Sequence, residues 1–272
     1  MDFSVDGHRA YAYTGARAFD PGKPSVVFIH GGGLDHCVWI LQSRYFAHHG
    51  YNALALDLPA HGRSEGPLQT SIETMADWVI RAVEALGVRR YAVTGHSMGA
   101  LVALETAARD PDRVAAAIFI GISVPMPVTD ALLSAAKAND HSAFDMVNLW
   151  GHGYGAQLGG NPSPGMWMTG GAVRLLERSG PGVLYNDLNA CDAYQRGLEA
   201  AAQVKAPVRV ILGKNDIMAS PRAGRELIAA LPNAEVTELS NCGHMLMAEQ
   251  PDRVLDAMVE SAARHLPAKA AA

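Results

Sequence analysis

The sequence predicts an α/β fold: a mostly parallel central sheet flanked by helices. Three observations carry this. Five short runs, Ser25 to Ile29, Ala53 to Leu56, Tyr91 to Thr94, Ala115 to Ile120 and Val208 to Leu212, are predominantly apolar and each is closed by Gly, Asp or His. Continuous apolarity, as opposed to alternation, means burial on both faces, the condition of a parallel strand covered by helices. Segments with helical spacing separate the runs, so strand and helix alternate, and the crossovers between parallel strands are right-handed. At 272 residues the chain is long enough for one large domain carrying a sizeable insertion.

Along the chain, Asp2 to Tyr13 alternates as an edge hairpin does. Helical spacing is read at Ser71 to Leu86, Met98 to Arg109, Arg222 to Leu231 and Asp252 to His265, and Ala234 to Leu239 is the expected last strand. The closing AKAAA is expected to be a frayed tail. The alternation breaks from Pro125 to Gln203, where Gly, Pro, Met and Trp are dense and no buried strand can be read. Leu132, Leu133, Met146, Leu149, Trp150, Trp167, Met168, Leu175 and Leu176 are too apolar to leave in water, so this stretch is expected to be a packed helical cap with an irregular middle. The expected organisation is a core of residues 1–124 and 204–272 with a cap of residues 125–203.

Composition excludes several classes. With 22 Lys and Arg against 27 Asp and Glu, and no cluster of positive charge, nucleic acid is not an expected partner. The longest apolar-leaning stretch, Val114 to Val128, is broken by Gly121, Ser123, Pro125 and Pro127 and is too short to cross a bilayer. Without a basic start and apolar run at the N-terminus, the expected location is the cytoplasm. Cys37, Cys191 and Cys242 are odd in number and widely spaced, which fits reduced thiols better than a disulfide framework or a zinc site.

The chemistry is read from four loops. Gly95, His96, Ser97, Met98 and Gly99 follow a strand and open a helix, the context in which a sharp turn exposes a nucleophilic serine above a sheet. Side chains at Gly95 or Gly99 would collide with neighbouring strand and helix, so both must be small. A serine hydroxyl is a poor nucleophile at neutral pH and needs a base, itself oriented by a third group. His244 follows the last strand and precedes a helix beginning near Pro251, which puts an imidazole at the same sheet edge; Asp216 emerges there too, just after Val208 to Leu212. His30, Gly31, Gly32 and Gly33 follow the strand Ser25 to Ile29, and glycines there let backbone amides approach a substrate oxygen. The expected oxyanion donors are the amides of Met98 and Gly32, with Gly33 a substitute for the latter. No nucleotide-binding glycine pattern can be read at His30 to Trp39, and no cofactor or metal is required.

These motifs, HGGG at His30, DLPAHGRS at Asp57 to Ser64, GHSMG around Ser97, GKND ending at Asp216 and NCGH ending at His244, resemble the α/β-hydrolase superfamily in order and spacing over essentially the whole chain. The resemblance implies that Ser97 is the nucleophile, His244 the base and Asp216 its acid, and that DLPAHGRS is structural. Haloalkane dehalogenases and epoxide hydrolases of this fold carry Asp at the elbow, so Ser97 argues against both.

The expected function is a serine hydrolase of small to medium apolar carboxylic esters. Trp39, Met98, Met126, Trp150, Trp167 and Met245 are candidate apolar liners of the pocket, although each fits plain core packing as well. Lys137, Arg174, Arg178 and Arg196 are the cap cations available to clamp an anionic substrate. Carbon–carbon bond hydrolysis is the alternative, because HGGG and the serine elbow resemble the meta-cleavage-product hydrolases, although His96 departs from the Asn common there. Lactonase, amidase, perhydrolase, haloperoxidase and hydroxynitrile lyase chemistry, or ligand binding without catalysis, are further variants on this fold. Exposed apolar cap surface would permit a homodimer.

Overall fold

The computed structural model describes residues 1–160 and 165–268. Its eight strands are β1 (Asp2–Val5), β2 (His8–Tyr13), β3 (Ser25–Ile29), β4 (Asn52–Asp57), β5 (Tyr91–His96), β6 (Val114–Ile120), β7 (Val208–Gly213) and β8 (Ala234–Leu239). They form one sheet in the order β1-β2-β4-β3-β5-β6-β7-β8. β1 and β2 form the edge hairpin, β2 runs antiparallel to β4, and every later pairing is parallel. β5 therefore lies near the centre, and its C-terminal end opens where open α/β sheets place ligands.

Helices cover both faces. α1 (Ile40–His48), α11 (Leu246–Glu249) and α12 (Pro251–His265) pack on one; α2 (Ile72–Ala85), α3 (Met98–Arg109), α9 (Gly197–Gln203) and α10 (Pro221–Ala230) pack on the other. The two-residue period of β3 divides between them: Val26 and Phe28 face α1 and α12, while Val27 and Ile29 face α2 and α3. Helix starts follow their local chemistry, with a Ser71–Thr74 capping box on α2, Ser220 capping α10, and Pro251 in the first turn of α12.

Between β6 and β7 the chain forms α4 (Asp130–Lys137), α5 (Ser142–Gly151), α6 (Tyr154–Gln157), α7 (Met168–Leu176), α8 (Val183–Ala193) and then α9. Leu132, Ala136, Ala143, Leu176, Leu184 and Leu188 form a separate cluster that reaches the main body through Leu34 and Met245. Core packing resumes earlier than residue 204: Ala190, Cys191, Tyr194, Ala200 and Ala201 already belong to the main cluster with α3. Part of the irregular stretch read in the sequence, and most of the closing AKAAA, lie outside the described residues. Among the described residues no helix is long and apolar enough to cross a membrane.

DLPAHGRS forms a knot after β4. The buried Asp57 carboxylate accepts from the amides of His36 and Arg63 and from His36 Nδ1, and the Ser64 hydroxyl donates to the Asp57 carbonyl at 2.7 Å. Gly62 is required there because a Cβ at its φ of +48° would run into the Asp57 carboxylate.

Candidate active site

Ser97 stands between β5 and α3 with φ 55° and ψ −121°, a strained conformation for a residue with a side chain. Its amide donates to the Ile120 carbonyl on β6 at 3.0 Å, which fixes the turn to the neighbouring strand. A Cβ on Gly95 would fall on the Gly99 carbonyl, and one on Gly99 would meet the carbonyls of Ile29 and His30, so the two glycines are sterically obligatory.

His244 and Asp216 meet beside it. His244 Nδ1 lies 2.7 Å from Asp216 Oδ2, and the other carboxylate oxygen accepts from the amides of Met218 and Ala219, each at 2.8 Å. Burial alone would raise the Asp216 carboxyl, but the charge and hydrogen bond of His244 and the two amides outweigh it and hold it below its ordinary value. Because a carboxylate only accepts, His244 carries a proton on Nδ1, and in the neutral imidazole this leaves Nε2 as the acceptor. Nε2 is buried and has no hydrogen-bond partner among the described residues. Ser97 and His244 line one cavity but do not hydrogen-bond, and such bonds are commonly long until substrate arrives.

The loop that carries His244 is held from three sides. The amides of His244 and Met245 both donate to the Gly151 carbonyl at the end of α5, at 2.8 Å. Buried Glu249 accepts from the amides of Gly243 and Gly153, tying the loop to the segment after α5. His96 Nε2–H donates to the His244 carbonyl at 2.7 Å; burial, with the neighbouring His244 charge, pushes the His96 imidazole down to about 3, so it stays neutral. Sequence reasoning gave His96 and Glu249 no role. Neither belongs to a spacing pattern, and their partners are amides and carbonyls that a sequence does not display.

Gly31 and Gly32 face the cavity beside Ser97 and Met98. Met98 opens α3, so no preceding turn accepts its amide. The Gly32 amide has no acceptor among the described residues, whereas the Gly33 amide donates to Asp187 Oδ2 at 2.8 Å and is not free to serve as the substitute donor.

The cavity has a volume of about 260 Å³. Met126, Trp150 and Met245 line it, together with Leu132, Val147, Leu184, Leu188 and Ile217. Two expected liners do not. Trp39 is fully buried against Phe28 in the cluster on the α1 and α12 face of the sheet, and Trp167 is 76% exposed, its ring lying over Gly170. Among the described residues no Lys, Arg, Asp or Glu lines the cavity. The cap cations are engaged elsewhere: Arg174 with Glu177, Arg178 with Asp35, Arg196 with Glu199, and Lys137 over the Tyr185 ring.

Asp35, His36 and Cys37 offer ligand atoms within 4.8 Å of one another, but the group is already satisfied internally. His36 Nδ1 is bonded to Asp57, and Arg178 lies against both Asp35 and Cys37, where a cation would be repelled.

Comparison with known proteins decides the family. The profile of the Alpha/beta hydrolase family matches residues 26–257. The chain belongs to this family. Among curated relatives, the putative carbamate hydrolase RutD of Klebsiella pneumoniae (strain 342) is 25% identical over 264 residues, covering 91% of this chain and 94% of the relative. Among solved structures, the enol-lactonase from Burkholderia xenovorans LB400 superposes with a TM-score of 0.82 at 23% identity, covering 96% of this chain and 98% of that one. A thermophilic esterase gives 0.79 at 24% identity, with 98% of each chain covered. This alpha/beta hydrolase is thus an enzyme of the hydrolase class, and the likeness to the two structures carries the fold alone.

Proposed function

We propose that this alpha/beta hydrolase cleaves small to medium, uncharged carboxylic esters through an acyl-enzyme on Ser97. The observation that carries the reading is the wall of the cavity over Ser97 and His244: predominantly apolar, and without a Lys, Arg, Asp or Glu side chain among the described residues. A carboxylate or phosphate substrate would enter that cavity without a cation to replace its water, a cost of several kcal/mol. An ester with an alkyl or aryl acyl group loses nothing of the kind and gains by burial.

Ser97 Oγ attacks the carbonyl carbon while His244 Nε2 takes its proton, and the Nδ1–H to Asp216 bond holds the imidazole in the tautomer able to accept it. The amides of Gly32 and Met98 receive the oxyanion. His244 returns the proton to the leaving alkoxide, then deprotonates the water that releases the acid. A diketo acid of the meta-cleavage type carries a carboxylate, which the uncharged wall disfavours, so the ester reading stands ahead of carbon–carbon bond hydrolysis.

The test is a substrate panel. p-Nitrophenyl acetate and butyrate, a neutral aryl carbamate and a dienoic diketo acid are compared by kcat/KM, with Ser97→Ala as control. The neutral esters are expected to lead and Ser97→Ala to lose turnover by several orders of magnitude. A diketo acid turned over faster than every neutral ester would refute the assignment.

A further inference from the structure

Behind the Gly31–Gly33 segment lies a buried cluster that the proposed acyl-transfer steps do not use. Asp187, on α8, is fully buried, and its Oδ2 takes two hydrogen bonds at 2.8 Å, one from the Gly33 amide and one from His61 Nε2. Its Oδ1 accepts from Asn186 Nδ2 at 3.2 Å. His61, in the knot after β4, has its other ring nitrogen 3.0 Å from the Pro59 carbonyl. Both ring nitrogens of His61 thus face acceptors, the arrangement of an imidazolium. Burial opposes that charge, but the Asp187 carboxylate and the Pro59 carbonyl outweigh it and raise the His61 pKa; the same pairing lowers that of Asp187.

The contact with the glycine loop is close as well as polar. A Cβ on Gly32 would stand 3.2 Å from Asp187 Cβ, so the Asp187 side chain forms the backing of Gly32 itself. On its other flank, His30 Nδ1–H donates to the Gly31 carbonyl at 2.9 Å while its Nε2 accepts from the Leu58 amide, and its ring lies tilted against that of His61, with centroids 4.8 Å apart. Burial and the His61 charge push His30 down to about 4, which keeps it neutral in that tautomer. The segment is therefore gripped twice: from the sheet at Gly31, and from the insertion at Gly33.

A buried ion pair is weak evidence for stability, because desolvation cancels most of the attraction. Its use must be sought in what it fixes. Here it fixes the one amide that, left loose, would let the Gly32 N–H swing away from the oxygen above Ser97.

We infer that Asp187, held by His61, is a positioning residue for the oxyanion loop, so that the Gly32 donor is aligned only while α8 is seated on the body. The inference rests on the Ser97 acyl-transfer reading. Seating of the insertion and alignment of the donor are then one event: an insertion lifted from the body leaves Ser97 present but the oxyanion unsupported.

The experiment measures the second-order rate of Ser97 labelling by an alkyl fluorophosphonate, located by peptide mass, alongside kcat and KM for p-nitrophenyl butyrate. Asp187→Ala is expected to slow labelling and kcat about 100-fold, the penalty of an ångström-scale misplacement, with KM within threefold. Asp187→Asn keeps a carbonyl for the Gly33 amide but loses the charge, and is expected to lose about tenfold. Arg178→Gln removes a different contact between insertion and body, with Asp35, and is expected to leave labelling within threefold. Wild-type protein labelled at Ser97, with folded Asp187 variants labelled as fast, overturns the inference and spares the Ser97 reading. An equal loss in Arg178→Gln overturns it too, since any loosening of the insertion would then suffice. Wild-type protein that is not labelled at Ser97 removes both. If Asp187→Ala does not fold, Asp187→Asn decides alone.

Discussion

Replacing Asp216 by Asn tests the proposed division of labour at its narrowest point. In the native site Oδ1 accepts from the amides of Met218 and Ala219, and Oδ2 accepts from His244 Nδ1. An asparagine must keep its carbonyl oxygen where the two amides point, since an NH2 there would face two donors. Its NH2 is then turned toward His244 and donates to Nδ1. That exchange forces the imidazole proton onto Nε2, the nitrogen that has to accept from Ser97. A wrong tautomer in a Ser-His-Asp site costs about 10⁴ in kcat, which at 1.36 kcal/mol per decade is about 5.4 kcal/mol. The fold should tolerate the change, because shape and both amide bonds are kept. Steady-state hydrolysis of p-nitrophenyl butyrate, with thermal unfolding measured in parallel, is the assay. A folded variant that retains more than a tenth of the wild-type kcat would refute the claim that the Asp216 bond sets the His244 tautomer.

Four further outcomes follow from contacts already described. Gly99→Ala should cost about 3 kcal/mol or prevent folding, because the carbonyls it meets belong to β3 and its exit and cannot retreat; an unchanged urea midpoint would contradict this. Glu249→Ala strands the buried amides of Gly153 and Gly243 and should destabilise by about 3 kcal/mol in denaturant melts, whereas an exposed glutamate would show almost no effect. Trp150→Ala should change KM for bulky acyl esters severalfold, while Trp167→Ala should leave kcat/KM within twofold; the reverse pattern would mean that the cavity is walled differently. The His36 imidazole is opposed by burial but raised to about 9 by its bonds to Asp57 and Cys37, so its stabilising contribution is complete below its unfolded value of 6.5 and is lost as pH rises through 9. The Tm deficit of His36→Gln should accordingly be large at pH 6 and nearly gone at pH 10.

Where a structural constraint is local, the residues announce it. α3 begins at Met98 and ends at Arg109 as its spacing requires, and β8 spans Ala234 to Leu239. Gly95 and Gly99 had to be small for a steric reason that applies within five residues. α1 shows the converse. In Ile40 to His48 the apolar Ile40 and Leu41 are 47% and 43% exposed, while Gln42 and Ser43 are buried. In this first turn the apolar residues face out and the polar ones face in beside buried Phe46 and Ala47, so a reading based on hydrophobic spacing passes over the helix. The two tryptophans fail for a related reason: a large apolar side chain near the motifs is equally at home in a cavity wall, in the core like Trp39, or flat on a surface turn like Trp167, and only packing separates the three.

Asp187 marks the limit of this kind of legibility, and the reason is physical. It is one of two acidic residues in α8, with Asp192, and has no charged partner at three or four residues' distance, so by local rules it belongs to a solvated face. Its partners lie 126 residues away at His61 and 154 residues away at Gly33. Each half of the contact reads plausibly alone, His61 as part of a structural knot and Gly33 as a spare oxyanion donor. Once Asp187 takes the Gly33 amide, Gly32 is the one of the two left free for the proposed role of oxyanion donor. The same bond makes an insertion residue part of the alignment of a core loop, so exchanging this insertion for that of a relative without carrying over an acid at position 187 should yield a folded protein with an exposed serine and little turnover.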